Sequence, residues 1–241
     1  MDEPHIMLIK ERHRRVLEQI NAATLRSKRE VGAVHLVAVT KSQPLAVVLA
    51  AISAGLTTLG ENYAEEAINK ISSGEITGVE WHMIGHVQSR KAEAVAQYFT
   101  MMHSLDSVRL AARLDRFCGE LNRKLPVLLE INVSGEETKF GFPAWDEKNW
   151  SDLNPVVDQI MSFPHLLIVG LMTMPPYFDD PEKTRTYFKR LVHFQDYLRK
   201  HHPQREWNEL SMGTSADYIP AIEEGATTVR LGQALFGPRI N

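Results

Sequence analysis

Residues 34–39 read Val-His-Leu-Val-Ala-Val, and Thr40-Lys41-Ser42-Gln43-Pro44 follows. A run so nearly apolar and so rich in β-branched side chains, with no glycine or proline inside it, suits a parallel strand covered on both faces, not a half-wet antiparallel one. Pro44 fits the first turn of a helix, where its missing N–H is not needed. Lys41 is therefore expected as the last residue of a central strand, at the point where strand hands over to helix. In parallel α/β architectures ligands sit at the carboxyl ends of the strands. An amine with its stem among apolar neighbours is pushed toward its neutral form and can attack a carbonyl. A plain surface lysine after a strand is the alternative, and the rest of the chain decides between them.

The chain repeats this alternation. Ile9, Val16, Ile20 and Ala23 lie at helical spacing, which predicts an amphipathic helix over 5–26 ahead of the first strand. A helix over 44–54 ends on Gly55, a short strand covers 57–60, and Ala64, Ala67, Ile68 and Ile71 mark the next helix face. Strands are expected over 80–85, weakly over 101–105, and strongly over 126–133 and 166–172. Shorter ones follow over 209–212 and 227–231. Asp106 is expected to cap a helix whose core face is Leu110, Leu114, Phe117 and Leu121. The segment 134–150 reads as a long loop, with a job or an excursion over the mouth. Eight strands alternating with helices give a single-domain α/β fold over 1–241, a (β/α)8 TIM-type barrel with an extra N-terminal helix. A doubly wound open sheet is the rival, but the Gly-rich dinucleotide loop that usually follows its first strand is missing.

Composition narrows the partners. A formal charge of -3, from 27 Lys+Arg against 30 Asp+Glu and without a basic stripe, points away from nucleic acid and membrane surfaces. Cys118 is a lone cysteine beside Phe117, so a quiet buried thiol is expected and an internal disulfide is excluded. With no secretory layout at Met1-Asp2-Glu3-Pro4, cytoplasm is the expected location. HExxH, CxxC and P-loop patterns are missing; His82 and His86 straddle a strand-to-loop transition, and Trp81, Trp145, Trp150 and Trp207 read as packing residues.

What remains at the strand ends is Lys41, Asn62, His82 with Gly85, Met172, Ser211-Met212-Gly213-Thr214-Ser215 and Arg230-Leu231-Gly232-Gln233. In many barrels the loops after strands seven and eight bind phosphate. Ser211, Thr214 and Ser215 carry hydroxyl donors there, and Gly213 and Gly232 let an anion approach the backbone. Such turns also serve simply as helix caps. A lysine facing them suits a ligand with both an aldehyde and a phosphate, and pyridoxal 5′-phosphate (PLP) has both. Arg230 can bond the pyridine nitrogen, and a permanent cation there opposes ring protonation and weakens the electron sink. An ion pair with Glu61 or Glu130 is the other reading of Arg230.

The segments Leu36-Val37-Ala38-Val39-Thr40-Lys41, Gly60-Glu61-Asn62-Tyr63, Trp81-His82-Met83-Ile84-Gly85 and His103-Ser104-Leu105-Asp106 together resemble the pyridoxal phosphate homeostasis proteins, a branch related to the alanine racemase barrel. So do Ile131-Asn132-Val133, Lys139 with Gly141-Phe142, Gly170-Leu171-Met172-Thr173, Leu210-Ser211-Met212-Gly213 and Val229-Arg230-Leu231-Gly232 through Phe236-Gly237-Arg239. The resemblance implies a Schiff base between Lys41 and PLP and Arg230 at the pyridine nitrogen. It places Ser211, Gly213, Gly232 and Gln233 around the phosphate, and Asn62 and Met172 near the ring. Thr214 stands where the family usually has Met, and Arg90 where it usually has Asn. Pro220 replaces a residue with an N–H, which puts the start of its helix at issue and allows it to begin at Pro220 itself.

Two functions follow. One is a protein that holds PLP for buffering or delivery without turnover, with PLP-dependent apoenzymes or amino acids as recipients. The other is a PLP-dependent amino-acid racemase, which needs a second base that Tyr63 or His82 would have to supply. Because the residues end at Asn241 soon after the eighth strand, no second β-rich domain is expected, and the protein is expected as a monomer or weak dimer. An aldolase working without PLP leaves the phosphate-type turns unexplained.

Overall fold

The computed structural model describes residues 3–238; Arg239, part of the last matching motif, lies outside them. In chain order the elements are α1 (Glu3–Arg26), β1 (His35–Val39), α2 (Leu45–Ser53), β2 (Thr58–Glu61), α3 (Ala64–Ile71), β3 (Glu80–Met83), α4 (Ala92–Tyr98), β4 (Met101–Leu105) and α5 (Val108–Glu120). They continue with β5 (Leu125–Asn132), β6 (Phe142–Pro143), α6 (Asn154–Met161), β7 (Leu166–Met172), α7 (Arg185–His201), β8 (Glu209–Thr214), α8 (Tyr218–Glu223), β9 (Thr228–Leu231) and α9 (Gln233–Phe236). Every pairing is parallel, and the ring runs β1-β2-β3-β4-β5-β7-β8-β9 back to β1. This is a closed eight-stranded barrel. The two-residue β6 lies outside the ring on the end of β5.

The strands form where β-branched and apolar residues run together, and the ring buries them: β5 and β9 are almost wholly inaccessible. Even Met101–Leu105, the weakest strand by pattern, has four buried residues out of five. Helices cover the outside with their apolar faces, such as Leu110, Ala111, Leu114 and Phe117 of α5. α1 packs on α2, α8 and α9, the helices flanking the seam where β9 meets β1. No helix among the described residues is long and apolar enough to cross a membrane.

Several local expectations need correcting. β1 stops at Val39, because the carbonyl of Thr40 is drawn out of the ladder by the N–H of Gln43 (3.1 Å) and Nζ of Lys70 (2.8 Å). Lys41 thus sits in the turn after the strand. Ser107, not Asp106, caps α5, accepting from the N–H of Leu110. Pro44 precedes α2 rather than opening it. α8 begins at Tyr218 with Pro220 as its third residue, a place where a helix N–H has no intrahelical acceptor in any case. The 134–150 segment holds β6 and the start of a 3₁₀ turn, Glu147–Leu153. Trp81, Trp150 and Trp207 are packed inside, whereas Trp145 is 43% exposed.

Candidate functional site

A cleft of about 1070 Å³ opens at the carboxyl ends of the strands. That volume is at the upper end of the range for small-molecule sites. Of the residues singled out by sequence, Lys41, Asn62, Thr214, Arg230, Gly232 and Gln233 line it together. Met172, Ser211 and Gly213 are buried and do not line it.

The Lys41 turn is held on both sides. Thr40 donates its hydroxyl to Oε1 of Glu61 (2.6 Å), and its N–H bonds the carbonyl of Gly60 (3.0 Å). Beyond the lysine, the N–H of Ser42 donates to Oε1 of Glu66 (2.6 Å), and Ser42 itself adopts φ 60. Lys70 ties these groups together, donating to Glu61 (2.7 Å), Glu66 (2.8 Å) and the Thr40 carbonyl. Burial raises the Glu61 carboxyl above its ordinary range, against the lowering effect of Lys70 and Thr40. Lys70 was not legible as a site residue, since Glu66 and Lys70 look like an ordinary i,i+4 surface pair. The signal was its place on one helix face with Ala64 and Ala67.

Asn62 reaches the cleft because Gly85 carries no side chain. A Cβ there would lie 2.5 Å from the Asn62 carbonyl oxygen and 2.6 Å from its Cα.

On the far side, β8 and β9 deliver two adjoining turns. Thr214 donates both its N–H (2.7 Å) and its hydroxyl (2.9 Å) to Oδ1 of Asp217, so its donors are already engaged. Ser215 accepts from the N–H groups of Gly232 (3.2 Å) and Ala234 (3.1 Å), leaving its own proton as the remaining donor toward the cleft that it lines. Gly213 has φ +94, with Tyr218 and Ala221 packed where a side chain would stand.

Arg230 lies between the two halves and is 4% exposed. It donates to the Ser211 carbonyl (2.8 Å) and hydroxyl (2.5 Å), to the Thr173 carbonyl (3.0 Å) and to Sδ of Met174 (2.9 Å). Burial draws its pKa down to about 10, which leaves it a cation at neutral pH. Neither carboxylate weighed as its ion partner pairs with it directly: Glu61 pairs with Lys70, and Glu130 acts on Arg230 through space. The hydroxyl of Ser211, expected near a phosphate, is held by Arg230 and by Nδ1 of His103 (2.8 Å). His82 is also drawn into the interior, bonded to His103 (3.0 Å), while His86 lines the cleft and pairs with Asp106 (2.7 Å).

An amine, a fixed cation and a pair of turns with a hydroxyl donor thus face one space. That donor set suits a small ligand bearing a carbonyl, a ring acceptor and an anionic group.

Residues 17–239 match the family described as alanine racemase, N-terminal domain. The chain is 37% identical over 233 residues to the pyridoxal phosphate homeostasis protein of Aquifex aeolicus, covering 95% of this chain and 97% of that one. The homeostasis protein of Escherichia coli K12 is 34% identical, with 93% and 94% covered. The chain belongs to the pyridoxal phosphate homeostasis protein family. Among solved members, PipY of Synechococcus elongatus PCC7942 with PLP bound is 34% identical and superposes with a TM-score of 0.79, over 95% of this chain and 100% of that one. Alanine racemase of Clostridium difficile 630 shares the fold alone, with a TM-score of 0.66 at 16% identity over 93% of this chain and 57% of that one.

Proposed function

We propose that this member of the homeostasis family binds PLP in the cleft, holds it on Lys41 and serves intracellular PLP buffering or delivery without turnover. The observation that carries this reading is the meeting of Lys41, Arg230 and the Ser215–Gly232 turns around one space. When bound, PLP supplies an aldehyde that condenses reversibly with a primary amine, here that of Lys41, as a Schiff base. The buried network of Lys70, Glu61 and Glu66 fixes the turn that carries this amine. Arg230, whose four terminal N–H groups are engaged within the protein, would have its Nε–H left for the ring nitrogen and, being cationic, would keep a proton off it. Ser215, Gly232 and Gln233 would hold the phosphate, and Asn62 would border the ring. The ligand named in the PipY structure and the names of the curated relatives support the same reading.

Borohydride reduction followed by peptide mapping tests it. A pyridoxyl mass belongs on the Lys41 peptide, and Lys41→Ala should lose both the label and the near-visible band. Label on Lys91 or Lys139, which line the same cleft, would overturn the assignment. Racemase action is tested by incubating L-amino acids in deuterium oxide and following Cα exchange and D-enantiomer. Turnover near about 1 s⁻¹, the low end for ordinary enzymes, and dependent on Lys41, would make this an enzyme. Light scattering at micromolar concentration should give a monomer or weak dimer.

A further inference from the structure

Beneath Arg230 a line of bonds crosses the barrel interior, and its donors and acceptors run in one direction. A guanidinium has donors only, so the 2.5 Å contact makes the Ser211 oxygen an acceptor. The other partner of that oxygen is Nδ1 of His103, 2.8 Å away. Were this nitrogen also protonated, the hydroxyl proton of the fully buried Ser211 would be left without an acceptor, a desolvation cost that the other tautomer avoids. Ser211 therefore donates to a bare Nδ1, and His103 carries its proton on Nε2. That nitrogen lies 3.0 Å from Nδ1 of His82, so His82 accepts and is in turn protonated on Nε2. The last atom stands 3.6 Å from the carboxylate of Glu80, a residue at the start of β3.

We infer that His103, backed by His82, is a positioning residue that fixes the Ser211 hydroxyl and through it the Arg230 guanidinium at the cleft. The neighbouring strands β8 and β9 supply Ser211 and Arg230, and β4, which pairs with neither, supplies His103, so the relay braces Arg230 from across the barrel. Both rings must be neutral for it to hold. Burial, His82 and the charge of Arg230 keep His103 well below the usual imidazole range. Burial and then His35 bring His82 down to about 4. Among the described residues, Glu80 is the carboxylate that reaches the line, and with its side chain 66% exposed, solvent screens its pull on His82. The effect on ligand binding rests on the PLP reading above; the relay itself does not.

The test has two arms. In ligand-free protein labelled with [¹⁵N]histidine, NMR at pH 7 should show His82 and His103 each with a bare Nδ1 and a protonated Nε2. A proton on either Nδ1, or a charged ring, overturns the inference whether or not PLP binds. In the second arm PLP is titrated into His103→Gln and His103→Phe. Glutamine keeps an acceptor for Ser211 and a donor for His82, whereas phenylalanine fills space only. The Phe variant should bind roughly tenfold or more weakly, the worth of one hydrogen bond to a charged group, with a shifted absorption band. The Gln variant should stay near wild type. With Arg230→Gln already in place, the two should become indistinguishable, because the effect travels through the arginine. Wild-type affinity in the Phe variant, or an undiminished loss in the Arg230→Gln background, overturns the inference. Failure of the unaltered protein to take PLP counts against the functional reading, while the NMR arm still decides the relay.

Discussion

Glu130 offers a direct measure of how dry the cleft floor is. It lines the cleft, is 9% exposed, and its Oε2 is buried without a hydrogen-bond partner. Burial, with the Asp106 carboxylate adding to it, raises its pKa from 4.5 to about 7, against the pull of Arg230 and Lys139. A carboxyl raised on folding binds more protons in the native than in the unfolded state between these two values. Native stability therefore falls as pH rises through this window, and the penalty is complete above the folded pKa. At 1.36 kcal/mol per unit, it amounts to about 1 kcal/mol at pH 5 and about 3 kcal/mol by pH 7, then levels off. Glu130→Gln keeps the shape and removes the charge. Urea unfolding of both proteins from pH 5 to pH 8 should show the variant gaining on wild type by about 2 kcal/mol across the rise, then holding a constant difference. Any offset from the amide is the same at every pH, so the pH dependence of the difference is what decides. A difference flat from pH 5 to pH 8 would refute the reasoning and show that Glu130 is as well solvated in the fold as in the unfolded chain.

Two further outcomes follow from the packing. Lys70→Met leaves Glu61 buried without its cation and should lose about 3–5 kcal/mol in urea unfolding, whereas adding Glu61→Gln should recover much of it. Gly85→Ala drives a methyl into the backbone of Asn62; it should lower stability by about 1–3 kcal/mol and weaken PLP binding, read by denaturation and by titration.

The fold was legible because the signals for it are local. The apolar runs at 34–39, 126–133 and 166–172 announce buried parallel strands, and Gly55 marks the end of α2 from its place after the helix, where it takes φ 91. The cleft residues were partly legible for the same reason: Lys41, Asn62, Thr214 and Arg230 follow from counting strand ends. Their partners were not. Ser211 has a hydroxyl beside a Gly-rich turn, which suits an anion as well as it suits an arginine. What decides is His103 on β4, brought against β8 from the other side of the ring. Inside a barrel, contacts between strands that are not neighbours are set by closure and by side-chain reach, and spacing along the chain carries no trace of them. Lys70 was hidden differently, by a helix-surface pattern that turns out to face inward.

The seam between β1 and β9, with His35 opposite Thr228 and Ala38 opposite Leu231, has a consequence during synthesis. The strand that leads to Lys41 emerges from the ribosome well before its partner strand carrying Arg230. At about 5–20 residues per second the interval is roughly ten to forty seconds. Through it β1 has one unpaired edge, a template for wrong pairing, and the amine and the cation that face the cleft have not met. A ligand that needs both groups finds its full site only once the ring has closed, so its stabilisation would fall on that late state rather than on the earlier strands.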